Sequence, residues 1–209
     1  MNFQPLKYIY KSSGNPEAHT LLLLHGTGGD ENDLVPLAKD FGTGFNVLSL
    51  RGNVSENGMP RFFKRLGMGI FDEDDLEFRT NEMVSFLEKM AVEKGFDIKK
   101  LIALGYSNGA NIAGSLLVLK PDFLAGAILF RPMKPFKNKI PAGNNEVPVF
   151  FSSGKFDPTV NQIEVENYLA MLKNAGFKLS SPEINAGHNL TKEDLELSVE
   201  WFHDNFMNG

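Results

Sequence analysis

Cysteine is absent from this 209-residue chain, and its absence excludes disulfide bonds, a cysteine nucleophile and thiolate metal ligands. No apolar run approaches the roughly 18 residues that a membrane-spanning helix needs, and the first 14 residues contain no apolar stretch typical of a signal peptide. Basic residues are outnumbered by acidic ones, 21 against 26, whereas nucleic-acid-binding surfaces usually carry excess positive charge. We therefore expect a cytoplasmic protein with no membrane span and no nucleic-acid partner.

Apolar segments of strand length recur along the chain. Several are nearly continuous, as is typical of strands that are buried on both faces of a parallel sheet. The predicted strands cover residues 8–11, 20–25, 45–50, 101–106, 125–130, 147–153 and 178–184. The last of them is the weakest, because Pro182 favours a sheet edge or a bulge.

Helical patterns alternate with these strands. Apolar residues at positions 83, 86, 87 and 90 fall on one face of a helix, and a similar stripe occupies residues 160–175. Thr191 and Asp194 form a capping-box pattern that predicts the start of a last helix. The alternation predicts one α/β domain over residues 1–209, with a mostly parallel, doubly wound sheet of about seven strands and helices on both faces.

A serine lies between two glycines at residues 105–109, where a predicted strand passes into an Ala- and Gly-rich helix. Such a G-x-S-x-G sequence is either an ordinary turn or a nucleophile elbow, which exposes a serine hydroxyl at the top of a sheet. Asp157 follows the sixth predicted strand and His188 follows the seventh. Functional groups of doubly wound sheets collect at the carboxyl ends of strands, so the sequence predicts that Ser107, Asp157 and His188 form a triad in that chain order.

These three residue types suit nucleophilic catalysis. A serine hydroxyl needs a base within hydrogen-bond reach, and an imidazole, with an ordinary pKa of about 6.5, can take the proton and later return it. A carboxylate on the other ring nitrogen fixes the tautomer. Backbone amides would then bind the developing oxyanion, and we assign them to Asn108, just after the serine, and to Thr27 in the HGTGG loop.

Other acids and histidines have plainer interpretations. Asp122 is the main rival for the acid, but it follows a proline at a predicted helix end and suits a turn. His25 precedes the HGTGG loop residues that would bind the oxyanion, and we interpret it as a hydrogen-bonding residue of the scaffold. His19 lies in a polar loop and His203 lies in the last helix beside aromatic residues, so we expect neither to act in catalysis.

Two further patterns could indicate a ligand. The GTGG turn at 26–29 could open a dinucleotide-binding fold, but Glu31 occupies the third glycine position of that fingerprint. The DEDD run at 72–75 lacks the spacing of a calcium-binding loop and suits a helix N-terminus. We therefore expect neither a cofactor nor a metal.

Four stretches, in this order, resemble one known family. They are HGTGGDENDLVPLA, GYSNGAN, the G-x-x-D-x-x-V sequence at 154–160 and GH at 187–188. Together they are similar to the phospholipase/carboxylesterase family of α/β hydrolases, which includes acyl-protein thioesterases and small bacterial carboxylesterases. Residues 51–76 most resemble the hydroquinone-stress hydrolase branch of that family.

The resemblance implies the α/β-hydrolase fold, a triad of Ser107, Asp157 and His188, and an oxyanion hole at Thr27 and Asn108. Two departures separate the chain from the thioesterases. Asparagine follows the serine where they commonly have glutamine, and FRPMKP stands at 130–135 in place of a Leu-Ser-Gly-Tyr-like stretch. For this reason the substrates of the thioesterases are not carried over to this chain.

The segment at 55–75 is too long and too apolar for a simple connection between a strand and a helix. One interpretation is a surface flap whose aromatic residues pack on the core and whose cations pair with the DEDD run. The other is a wall of the substrate pocket, in which a guanidinium receives an anionic group of the substrate. On the second interpretation the substrate-binding residues are Phe62, Phe63, Met68, Arg61, Arg65 and, after the fifth strand, Arg131.

The function we expect is that of a serine carboxylesterase acting on small esters or thioesters through an acyl-enzyme. One alternative is hydrolysis of a quinone-derived or other acidic metabolite. Another, from a different class, is a non-catalytic binding protein on a hydrolase scaffold. The expected partner is a small-molecule ester, and the sequence is compatible with a homodimer.

Overall fold

The computed structural model describes residues 3–143 and 145–207. Within them, the strands are β1 (Lys7–Lys11), β2 (Thr20–Leu24), β3 (Asn46–Arg51), β4 (Val54–Glu56), β5 (Met59–Arg61), β6 (Arg65–Gly67), β7 (Ile70–Phe71), β8 (Leu101–Tyr106), β9 (Gly126–Phe130), β10 (Pro148–Gly154), β11 (Lys178–Ser180) and β12 (Glu183–Ile184). The helices are α1 (Glu73–Lys94), α2 (Asn108–Leu119), α3 (Gln162–Asn174) and α4 (Lys192–Phe206). Short 3₁₀ turns cover Leu37–Lys39 and Ile98–Lys100.

Eight of the strands form one central sheet in the order β1-β3-β2-β8-β9-β10-β11, and β12 also pairs with β10. Only β1, at the edge, runs antiparallel to its neighbour, and the other pairings in this sheet are parallel. After β2 the chain adds β3 on one side of it and then β8 on the other side. The strand order therefore reverses at β2. The mostly parallel, doubly wound sheet predicted from the apolar runs is thus confirmed.

Alternate residues of each central strand point to opposite faces, and both faces are covered. Leu22 and Leu24 of β2 belong to a core shared with α1, α2 and α3. Leu21 and Leu23 belong to a second core that includes Phe202 of α4. Because both faces are buried, these strands are apolar at successive positions rather than at alternate ones.

The ends of two helices match their sequence patterns. Asp72 caps α1, since its carboxylate accepts a hydrogen bond from the Asp75 amide at 3.1 Å. The DEDD run therefore begins a helix, as its composition predicts. Thr191 and Asp194 form the predicted capping box at the start of α4.

Residues 178–184 form two short strands instead of the one predicted. β11 and β12 both pair with β10, and Ser181 and Pro182 separate them. Proline has no amide hydrogen to donate to a sheet ladder, which explains the interruption.

The segment at 55–75 is built largely from two β-hairpins, β4 with β5 and β6 with β7. Asn57 and Gly58 join the first pair, and both have positive φ, 52° and 82°. Asn-Gly is the preferred sequence for a two-residue turn of that kind. This dipeptide therefore indicates the hairpin in the sequence, although the apolar patterns do not.

Over the residues described here, none of the helices combines the length and the apolar character needed to cross a membrane.

Candidate active site

Ser107 occupies a sharp turn between the carboxyl end of β8 and the start of α2. Its backbone has φ 51° and ψ −109°, and a positive φ is unfavourable for a residue other than glycine. Two hydrogen bonds hold the turn: the Ser107 amide donates to the Phe130 carbonyl at 2.9 Å, and the Ser107 carbonyl accepts from the Asn111 amide at 2.9 Å. The strained turn is therefore tied both to β9 and to the first turn of α2.

The two glycines around Ser107 allow α2 to approach the sheet closely. A Cβ atom on Gly105 would lie 2.5 Å from the carbonyl carbon of Gly109. A Cβ atom on Gly109 would overlap the Leu24 carbonyl and lie 2.7 Å from the His25 carbonyl oxygen. In both cases the neighbour is backbone, which cannot move aside as a side chain can, so the G-x-S-x-G spacing has a packing reason as well as a conformational one.

The three residues predicted as a triad are in contact. His188 Nε2 lies 2.9 Å from Ser107 Oγ, and His188 Nδ1 lies 2.7 Å from Asp157 Oδ2. Ser107 follows β8, His188 follows β12 and Asp157 follows β10, all at the carboxyl end of the sheet. The parallel sheet therefore brings together groups up to 81 positions apart in the chain.

Asp157 is held as a carboxylate. Its side chain is only 1% exposed, and burial by itself would raise its pKa. Hydrogen bonds from the Thr159 hydroxyl at 2.6 Å, from His188 and from the Thr159 amide at 2.8 Å outweigh that effect, so the pKa of Asp157 lies below its ordinary value. A charged carboxylate at this position can stabilise a positive charge on the imidazole.

Thr159 is a residue of the site that the sequence analysis missed. Its Oγ1 lies 2.8 Å from His188 Nδ1 as well as within hydrogen-bond distance of Asp157. An aspartate side chain commonly accepts a hydrogen bond from the backbone two positions later, as it does here from the Thr159 amide, so a turn at 157–159 was a weak sequence indication that Thr159 lies beside the aspartate.

The amides proposed for the oxyanion hole border the same space as Ser107. Thr27 and Asn108 both line the cavity that contains Ser107 and His188, and their backbone amides donate to no acceptor among the described residues. The hairpin segment supports both: the Phe62 amide donates to Asn108 Oδ1 at 2.7 Å, and Arg61 Nη1 donates to Thr27 Oγ1 at 2.6 Å. Two free backbone donors beside the serine suit an oxyanion hole.

The cavity at the triad has a volume of about 460 Å³. A second cavity of about 730 Å³ adjoins it and shares Gly69, Phe71, Met133 and Thr159 as lining residues. Met68, which is 72% exposed, lines the first cavity as expected from the sequence. Together the two cavities form a cleft that is large enough for a small ester.

Phe62 and Phe63 do not line this cavity, contrary to the pocket-wall interpretation. Phe62 is 2% exposed and packs with its ring 4.6 Å from that of His25, while Phe63 is 0% exposed and packs 5.0 Å from Phe71. Their large apolar side chains are buried in the core beneath the hairpins, where burial stabilises the fold. In this respect the flap interpretation, with aromatic residues packed on the core, describes the segment.

Arg61 and Arg65 do line the cavity. They share one counter-charge, Glu56, whose carboxylate lies 3.3 Å from Arg61 Nε and 2.9 Å from Arg65 Nε. Burial, together with the neighbouring charge of Arg65, lowers the pKa of Arg61 below its ordinary value. With two guanidinium groups and one carboxylate, this wall of the cavity carries an excess of positive charge.

Arg131 borders the cavity but cannot bind a substrate, contrary to the sequence-based expectation. It is 1% exposed, and its five N–H groups donate to five acceptors within the protein: Ser152 Oγ, both Asp194 carboxylate oxygens and the carbonyls of Gly187 and Asn189. A guanidinium has no further donor to offer.

His25 is placed as a scaffold residue, as the sequence indicates. Its Nδ1 lies 2.6 Å from the Gly26 carbonyl, and its Nε2 accepts a hydrogen bond from the Gly52 amide at 3.1 Å. Burial is the main cause that lowers its pKa, in keeping with a neutral ring that donates at one nitrogen and accepts at the other. It thereby joins the loops that follow β2 and β3.

Comparison with known proteins identifies the family. The family model described as Phospholipase/Carboxylesterase matches residues 8–202. A Bacillus subtilis (strain 168) protein named "Putative hydrolase MhqD" is 43% identical over 199 residues, which is 95% of this chain and 98% of that protein. The crystal structure of the Bacillus cereus carboxylesterase superposes with a TM-score of 0.93 at 45% identity, covering 96% of this chain and 95% of that one. The structure of YahD with malic acid superposes with a TM-score of 0.89 at 30% identity, covering 96% and 99% respectively. This chain therefore belongs to the phospholipase/carboxylesterase family of α/β hydrolases and is a hydrolase.

Proposed function

We propose that the chain is a serine hydrolase that cleaves small carboxylic esters or thioesters through a covalent acyl-enzyme. The observation that carries the proposal is the continuous hydrogen-bonded series from Ser107 Oγ through His188 to Asp157, with heavy-atom distances of 2.9 and 2.7 Å. It begins at a strained turn, and strained backbone is characteristic of functional sites.

In the mechanism that we propose, the protons of the resting state are placed as the contacts of His188 and Asp157 suggest. The His188 Nδ1–H donates to the Asp157 carboxylate, which leaves the Nε2 lone pair directed at the Ser107 hydroxyl. The Thr159 hydroxyl donates to Asp157 Oδ1, the carboxylate oxygen that does not contact His188. This bond holds the carboxylate in its orientation. This arrangement selects the imidazole tautomer that can act as a base toward serine.

Acylation begins when His188 Nε2 takes the hydroxyl proton and Ser107 Oγ forms a bond to the ester carbonyl carbon. The carbonyl oxygen becomes an oxyanion, which the amides of Thr27 and Asn108 bind. The tetrahedral intermediate then expels the alcohol or thiol, and His188 returns the proton to it. A water molecule, deprotonated by the same nitrogen, attacks the carbonyl carbon of the acyl-enzyme and forms a second tetrahedral intermediate. Its collapse breaks the bond to Ser107 Oγ, which takes the proton back from His188, and releases the carboxylic acid.

Labelling with a fluorophosphonate probe tests the proposed function. We expect one equivalent of label on the wild-type chain and none on Ser107→Ala, because the probe reacts only with an activated serine. Ser181→Ala, at an exposed serine outside the site, should label as fully as the wild type. No labelling of the wild-type chain would favour a binding protein on a hydrolase scaffold instead.

A second candidate concerns the substrate: the cationic wall of the cavity favours an ester that also carries a carboxylate. Arg61 and Arg65 both line the cavity with Ser107, and among the described residues Glu56 is the one carboxylate that pairs with them. A guanidinium binds a carboxylate through charge-assisted, often paired hydrogen bonds. The similar protein YahD is described with malic acid, a small acid with two carboxyl groups, which supports the same chemistry here.

The test of this preference compares kcat/KM for a short neutral ester with that for a matched ester bearing a carboxylate. The wild-type chain should prefer the anionic ester, and Arg65→Met should reduce the ratio by roughly tenfold, equivalent to about 1.4 kcal/mol. Arg61 is only 3% exposed and already donates to Thr27 and to the Phe63 carbonyl, so Arg61→Met should slow both esters and change the ratio less than Arg65→Met does. Arg51→Met is the control, since Arg51 pairs with Glu31 and Asp30 and does not line the cavity. Equal ratios in all four proteins would rule out the anionic substrate.

A further inference from the structure

Arg131 lies directly after β9, at the same end of the sheet as the triad. Its backbone has a positive φ of 54°, which is rare for a residue with a long side chain, and its amide donates to the Ser152 carbonyl at 2.8 Å. The preceding residue, Phe130, accepts the hydrogen bond that holds the Ser107 turn. A backbone hydrogen bond therefore joins the end of β9 to the turn that carries the nucleophile.

The side chain of Arg131 contacts the loop that carries His188, the proposed base. Its Nε donates to the Gly187 carbonyl at 3.0 Å and its Nη2 donates to the Asn189 carbonyl at 3.2 Å. The carbonyl between them, that of His188, accepts from the Tyr106 hydroxyl at 3.2 Å. Three consecutive carbonyls around the histidine are thus bound by Arg131, which follows β9, and by Tyr106, the last residue of the nucleophile strand β8.

The rest of Arg131 is fixed just as firmly. Asp194 receives two hydrogen bonds from it, at 2.7 and 2.8 Å, and Asp194 is itself 1% exposed and bonded to Thr191 in the cap of α4. Ser152 of β10 accepts from Arg131 and donates to Asp194. A planar guanidinium with every donor used has little freedom to move, so the two loop carbonyls are held relative to β9, β10 and α4.

We propose that Arg131 is a positioning residue, which sets the location of His188 relative to Ser107 by holding the carbonyls of the residues on both sides of the histidine, Gly187 and Asn189. The inference rests on the proposed role of His188 as the base. It explains why a charged side chain with no free donor is buried beside an ester-hydrolysis site. The guanidinium binds the carbonyls of the loop and does not bind the substrate. Misplacement of a catalytic group by about 1 Å is enough to cost a large factor in rate.

Arg131→Lys is the informative variant, because it keeps a positive charge opposite Asp194 but cannot donate to both loop carbonyls at once. We expect kcat for a short neutral ester to fall roughly tenfold with KM changed by less than about twofold, since the substrate cavity is intact. A second variant, Arg131→Met combined with Asp194→Asn, leaves no unpaired charge and should lower kcat at least as much. Arg79→Met is the control, because Arg79 bonds to the buried Glu82 on α1, away from the site, and kcat should stay within about twofold.

A double-mutant cycle with His188→Ala separates positioning from a general loss of structure. If Arg131 acts through His188, Arg131→Lys should have no further effect on the residual turnover of His188→Ala. A tenfold loss that persists in that background, a folded Arg131→Lys with the wild-type kcat, or failure of both Arg131 variants to fold would each overturn the inference. The His188→Ala measurement is read first: full turnover there would refute the proposed function itself, which keeps the two failures distinct.

Discussion

Ser107→Ala and His188→Ala are each expected to lower ester turnover by about 10⁴-fold or more. The first removes the atom that forms the acyl-enzyme, and the second removes the base that lies 2.9 Å from it. Because the two act as one unit, the double variant should be no slower than either single variant. The measurement is kcat/KM for a short neutral ester, with folding checked by circular dichroism.

Asp157→Asn should also be severe, though less so than the loss of Ser107 or His188. An amide at this position can present its NH₂ group to His188 Nδ1, which would favour the wrong tautomer. Thr159→Val is a graded companion, since it removes the hydroxyl bond to Asp157 Oδ1 but leaves the carboxylate in place. Folded His188→Ala with turnover near that of the wild type would contradict the assignment of the base.

The central sheet could be predicted from the sequence because its strands are buried on both faces. β2, TLLLL, is short and has leucine at four successive positions after Thr20, and every residue in it is buried. β8, β10 and β12 end one, three and four residues before Ser107, Asp157 and His188 respectively. Parallel strands place their carboxyl ends at one edge of a sheet, so the order of these residues in the chain was enough to predict their proximity.

The substrate-facing residues were harder to predict, because the sequence gives an element but not the direction of its side chains. Phe62 and Phe63 lie in the predicted segment, yet the hairpins fold so that both are buried. Arg131 follows a strand at the correct edge, and from the sequence its charge suggests a ligand. Its partner Asp194 lies 63 positions later in the chain, and only the folded structure shows that the two are paired.

Replacement of Gly109 by alanine should disrupt both the fold and the site. The added Cβ would overlap the Leu24 carbonyl and lie 2.7 Å from that of His25. β2 carries Leu24 and is hydrogen-bonded on both sides, to β3 and β8, so the strand cannot move aside and α2 must shift instead. We expect a loss of about 3 kcal/mol or more in the free energy of unfolding, which for a chain of this size lowers Tm by about 6–12 °C.

The same shift would displace Ser107 and the Asn108 amide, which lie at the start of α2. The folded fraction of Gly109→Ala should therefore lose roughly 10²-fold in kcat. Gly67→Ala is the matched control, because its φ is not positive and the nearest atom to an added Cβ is Ile70 Cδ1 at 3.8 Å; its free energy of unfolding should change by less than about 0.5 kcal/mol. Thermal unfolding followed by circular dichroism and turnover at a temperature below both transitions measure the two effects. A Gly109→Ala chain with the wild-type Tm and kcat would mean that α2 can move away from β2 without disturbing the nucleophile.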